Sequence, residues 1–155
     1  MFDITRIIDQ TTTRADVDAQ SRKRAIEIAS DLLADVHPDL SARTLFDELM
    51  NRERLGSTAL GEGVAIPHCR SDCKRIHGAF LRLSNPVDYD APDGAGVDLL
   101  FVLVVPPEEN SAHLEVLAAL ARLFQDPENC NALRRQASDK DLYEELVGRV
   151  SSQAA

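Results

Sequence analysis

The stretch Leu99 to Val105 reads LLFVLVV and stops at Pro106 and Pro107. It is far shorter than the ~20 residues of a membrane-crossing helix, and too uniformly apolar to leave one face of a sheet in water. Such a run predicts a strand over Val97 to Val105 that is buried on both faces. A strand of that kind needs a layer of structure on each side. The flanking segments supply helices, so the expected fold class is α+β or α/β, a three-layer α/β/α sandwich with a small mixed β-sheet flanked by helices. The chain has 155 residues, enough for one domain to bury roughly two-thirds of its unfolded surface. The expectation is a single domain over 1–155 with an ordered core from about residue 3 to 150.

Periodicity places the surrounding elements. Residues 14–19 (RADVDA) alternate, with Ala15, Val17 and Ala19 expected on one face of a strand. Ser21 is a natural cap for a helix running to about Val36, in which Ala25, Ile26, Ala29, Leu32, Leu33 and Val36 form one stripe. Pro38 ends it. Ser41 caps a second helix carrying Leu45, Phe46, Leu49 and Met50. Gly56, Gly61 and Gly63 then punctuate short apolar pieces that read as brief strands and tight turns. Ile76 to Ser84 reads as a strand, and NPVDYDAPDGAG as a turn-rich connection. In the last third, Ser111 is the expected cap of a helix with Leu114, Leu117, Leu120 and Phe124. Asp126 with Pro127 starts another, and Ser138 with Asp141 resembles a capping box for a third. Residues 151–155 are expected to fray.

Charge narrows the partners. Asp and Glu number 26 against 17 Lys and Arg, a net −9, which disfavours nucleic acid because such binding draws its affinity from cations on phosphates. No segment is long enough for membrane insertion, and MFDITRIIDQ has no basic start followed by an apolar run, so it does not read as a secretory signal. Three cysteines do not make a disulfide framework. These features together point to the cytoplasm.

Among the four histidines, His68 has the most informative setting, GSTALGEGVAIPHCR. Pro67 stiffens the peptide that delivers the ring, nearby glycines let backbone N–H groups approach a ligand, and the Ser57 and Thr58 hydroxyls add donors suited to an anion. Free imidazole, with a pKa of ~6.5, is largely neutral at cellular pH and keeps a ring-nitrogen lone pair. His113 falls in the first turn after Ser111, where free N–H groups and the helix dipole favour an anion.

The stretch Glu53 to Cys69, ERLGSTALGEGVAIPHC, resembles the phosphorylation-site signature of type-2 enzyme IIA domains of the phosphoenolpyruvate-dependent phosphotransferase system. SRKRAIEIASDLLA, VDLLFVLVVP and AHLEVLAALARLF extend the resemblance over nearly the whole chain, in its nitrogen-regulatory branch. The resemblance implies the fold of the mannitol and fructose IIA domains. It also implies a cytoplasmic phosphocarrier and regulator, an enzyme only as a transferase-class component with a phosphohistidine intermediate. His68 would accept the phosphoryl group from an HPr-like phosphocarrier of the nitrogen type. His113 would match the second site histidine and Arg52 an arginine at the site edge. No cofactor and no metal are implied, and the regulated targets would be proteins such as transporters or kinases. Cys69 stands where the family often has Gly.

Two other functions stay open at this point: a IIA component of a fructose- or mannitol-type transporter that passes phosphate to a IIB domain, and a binding module of the same fold that is never phosphorylated. A zinc site built from His68, Cys69, Cys73 and His77 has suitable ligand types. Its two adjacent members, however, do not easily face one ion.

Overall fold

Helix and strand begin where local chemistry starts them. The computed structural model describes residues 3–108 and 111–154. In chain order the elements are β1 (Thr13–Val17), α1 (Arg22–Val36), α2 (Ala42–Arg54), β2 (Ala59–Gly61), β3 (Val64–Ala65), β4 (His68–Arg70), β5 (His77–Val87), β6 (Val97–Val105), α3 (Ser111–Gln125), α4 (Pro127–Arg134) and α5 (Asp139–Ala154). The Ser21 and Ser41 hydroxyls accept the backbone N–H groups of Arg24 and Thr44, and Asp126 accepts that of Glu128 with Pro127 at the first helical position. The Ser138 hydroxyl accepts from the Asp141 N–H, which is the first half of the expected capping box.

The strand buried on both faces is the centre of the molecule. β6 pairs antiparallel with β5 on one side and parallel with both β3 and β4 on the other; β1 extends the sheet beyond β5, parallel to it, and β2 beyond β3. Alternation sends Leu100, Val102 and Val104 into a core with Ala25, Ile26 and Leu33 of α1 and Leu45 and Leu49 of α2. Leu99, Phe101, Leu103 and Val105 face the other way, onto Leu120 and Leu123 of α3, Leu133 of α4 and Leu142 and Leu146 of α5. The three-layer sandwich follows. Truncating one of these fully buried leucines, such as Leu100→Ala, costs about 2–5 kcal/mol.

Four expectations are corrected. Ala15 and Val17 do not share a face: Asp16 has φ 59°, the pairing with β5 shifts register there, and Ala15 packs in the α3–α5 core while Val17 and Ala19 pack in the α1–α2 core. β5 continues to Val87 through Pro86, which is tolerated because the ladder with β6 is irregular between Arg82 and Val87. Ser111 is the first helical residue of α3 instead of its cap, and the residue before it lies outside the described ones. α5 runs on to Ala154, past the expected fraying point.

The hairpin leading to the site is held from outside. Arg134 of α4 forms a two-pronged pair with Asp98 of β6, Nε to Oδ2 and Nη2 to Oδ1 each at 2.9 Å, and also donates to the Glu62 carbonyl. Gly63 is needed at that turn. Its φ is +83°, and an added Cβ would lie 2.5 Å from Arg134 Nη2.

Candidate functional site

At the open edge of β4, a cavity of about 500 Å³ is lined by Glu48, Asn51, Arg52, Leu55, His68, Cys69, Arg70 and His113. β4 delivers His68 there. His68 lies opposite Leu103 of β6, so it is on the α3 side of the sheet, while Cys69 lies opposite Val104 and packs in the α1–α2 core. The two adjacent side chains therefore diverge across the strand, and the four-residue zinc arrangement has no geometric basis. Burial pushes the Cys69 thiol up to about 12, which keeps it a packing residue.

The His68 ring is fixed by its own backbone. Nδ1 sits 2.8 Å from the carbonyl oxygen of Ile66. A carbonyl only accepts, so Nδ1 carries the hydrogen and, in the neutral ring, Nε2 carries the free lone pair. Burial holds the His68 pKa below the ordinary imidazole value; the Ile66 carbonyl opposes that, Arg52 adds to it and Glu53 opposes it. The ring is thus neutral at pH 7, with its nucleophilic nitrogen away from the backbone.

His113 stands edge-on to His68, with ring centroids 5.6 Å apart and planes at 76°. It is in the first turn of α3, and its Nδ1 is buried without a partner among the described residues, which leaves Nε2 as the nitrogen able to reach a ligand. Burial, then the neighbouring His68 and Arg70, lowers its pKa as well. Arg52, half-buried in the last turn of α2, spends one N–H on the Gly56 carbonyl at 2.8 Å and keeps the remaining donors of its fork. The cavity therefore combines a neutral nucleophile, a neutral ring donor and two arginines. That set suits an anion in transfer.

Ser57 and Thr58 do not line this cavity. The Ser57 hydroxyl donates to the Tyr89 carbonyl at 2.7 Å, and the buried Thr58 hydroxyl donates to the Glu53 carboxylate. Glu53 is itself buried and also accepts the Thr58 N–H at 3.1 Å and the Tyr89 hydroxyl at 3.1 Å, with Arg22 at 3.8 Å. Arg70 was missed from the sequence although the period of two along a strand puts it on the His68 face. Tyr89 and Arg22 left no sequence signal, being far from Glu53 along the chain.

Residues 6–147 match the family described as the phosphoenolpyruvate-dependent sugar phosphotransferase system, EIIA 2. The chain belongs to that family. Among similar proteins, the nitrogen regulatory protein of Pseudomonas aeruginosa is 40% identical over 148 residues, covering 95% of this chain and 96% of that protein. That of Klebsiella oxytoca is 39% identical over 154 residues, covering 98% of this chain and 94% of its own. The crystal structure of nitrogen regulatory protein IIA-Ntr from Neisseria meningitidis superposes with a TM-score of 0.87 at 40% identity, over 95% of this chain and 98% of that one. This type-2 EIIA chain thus falls in the nitrogen-regulatory branch, and membership makes it a phosphotransfer-system component. No helix among the described residues is long and apolar enough to cross a membrane.

Proposed function

We propose that this EIIA protein is a cytoplasmic phosphocarrier and regulator in which His68 Nε2 accepts a phosphoryl group from an HPr-like carrier. The observation that carries the reading is the Nδ1–H to Ile66 hydrogen bond, which leaves Nε2 unprotonated beside His113 in an arginine-bearing cavity. In the transfer, the Nε2 lone pair forms a bond to phosphorus while the bond from phosphorus to the carrier's phosphohistidine nitrogen breaks. Its electron pair returns to the carrier ring. The Nδ1 proton stays in place, and its bond to the Ile66 carbonyl strengthens as the ring becomes a phosphoimidazolium. His113 and Arg52 act as donors to the equatorial oxygens, which is the main catalytic need of phosphoryl transfer. Ser57 and Thr58 serve by holding the loop that follows Arg52.

Regulation follows from charge. A phosphoryl group adds about −1.5 to −2 to a face that also presents Leu55, 85% exposed. A target that docks on the unmodified face then meets a desolvation cost and rejects the modified one. Incubation with phosphoenolpyruvate, enzyme I and the carrier will label the protein; labelling that persists in His68→Ala overturns the assignment. Onward transfer of the label to a IIB domain would instead favour a transporter component.

A further inference from the structure

We infer that Glu53 is a positioning residue that sets the tautomer of His68 through two intervening residues, Thr58 and Ile66. The inference rests on the phosphoacceptor role of His68. The Glu53 carboxylate accepts both donors of Thr58, the N–H at 3.1 Å and the hydroxyl, and so fixes the Thr58 peptide in the loop after α2. The carbonyl of Thr58 accepts the Ile66 N–H at 3.1 Å, and the carbonyl of Ile66 accepts Nδ1–H of His68 at 2.8 Å. Each link is a hydrogen bond, and each holds in place a residue, Thr58 and then Ile66, whose own carbonyl makes the next one.

The far side of the relay is anchored as well. Pro67 stiffens the peptide after Ile66, and its carbonyl accepts the Leu103 N–H of β6 at 2.9 Å. On the other side of Glu53, Tyr89 donates at 3.1 Å and Arg22 lies at 3.8 Å with its guanidinium over the Tyr89 ring. A buried carboxylate is costly unless every oxygen is satisfied. Here both oxygens are, and the partners include the loop that carries the acceptor's support. A purely structural role would need only a tie between α2 and the sheet. The bond from Thr58 to Ile66 extends that tie to the reactive ring.

The test reads the ring directly by long-range nitrogen-15 correlation on labelled, unphosphorylated protein, where Nδ1–H and Nε2–H forms have distinct shifts. The wild-type protein should show the Nδ1–H form. In Glu53→Ala, and in Glu53→Met if the first variant does not fold, the ring should shift toward the Nε2–H form, with transfer from the carrier slowed by about 10- to 100-fold. Glu53→Gln keeps an oxygen for the Thr58 N–H and should restore the Nδ1–H form. Tyr89→Phe, which loses the hydroxyl that meets Glu53 and the Thr58 hydroxyl but leaves the Glu53 carboxylate and the backbone links of Thr58 in place, should lower stability and keep the tautomer. An Nε2–H ring in the wild type, or a wild-type tautomer in folded Glu53→Ala or Glu53→Met, overturns the relay. Because the spectrum needs no phosphate, a protein that shows the relay but takes up no label faults the acceptor reading alone.

Discussion

Two histidine pairs flank the same end of β6, one on each face of the sheet. His68, opposite Leu103, meets His113 edge-on at 5.6 Å; His77, opposite Val104, meets His37 at 4.1 Å with the rings tilted by 38°. The second pair is the closer one, yet it has none of the first pair's chemistry. His77 is buried with Nε2 unpartnered among the described residues, and burial, reinforced by His37, pulls its pKa down to about 4. His68 is half-buried, has one nitrogen committed to a carbonyl, and turns the other toward a cavity with Arg52 and Arg70. Proximity of two imidazoles is therefore a poor sign of function. A fixed tautomer with a reachable lone pair is a better one.

The comparison breaks most simply by removing one ring from each pair. His68→Ala should lose all phosphate incorporation, whereas His77→Phe should keep it; the reverse result would make the buried pair the site. The second rings should differ in the same way. His113→Ala removes a donor to the transferred group and should slow transfer about 10²-fold, measured by rapid quench with a phosphorylated carrier, while His37→Gln should leave the rate unchanged.

Acid should reveal the other pair. Unfolded His77 titrates near 6.5 and the folded residue near 4, so between those values the unfolded chain binds more protons and stability falls as pH drops. The loss should be on the order of 2 kcal/mol, or about 5 °C in Tm between pH 6.5 and pH 4, and His77→Phe should flatten that part of the profile. His37, which faces Asp39 and Arg75 and is also lowered, first by burial, contributes in the same direction. The smallest effect concerns the cavity rim. Leu55→Ser should change stability by no more than about 0.5 kcal/mol and weaken carrier binding by about 1 kcal/mol, read as a higher KM for phosphorylated carrier.

Elements governed by local rules were legible before the structure was known. Val97–Val105 matches β6 at both ends because a strand buried on both faces must be apolar throughout and two prolines close it. The Ser21, Ser41 and Asp126 caps were equally visible, since capping depends on residues within one turn. The crossing of faces between Ala15 and Val17 was not, because it hangs on one left-handed Asp whose hydroxyl partner, Ser84, comes from a distant strand. His68 stood out for its stiff, glycine-flanked setting. The surroundings of Glu53 did not, because Tyr89 lies in a stretch that reads as a turn and is nonetheless fully buried.

The position of β4 has a dynamic consequence. His68, Cys69 and Arg70 hang on the edge of β6, the strand whose residues are all buried except Asp98. Such a strand opens to solvent exchange only when the whole domain unfolds, so the reactive ring rides on the slowest-exchanging part of the molecule. On the proposed function, phosphate arriving at His68 meets a backbone paired to that strand at Leu103, Val104 and Val105. The proposed signal is then written on the surface, as a change in charge and shape that a partner reads from outside, and β6 should stay the slowest-exchanging strand in both forms.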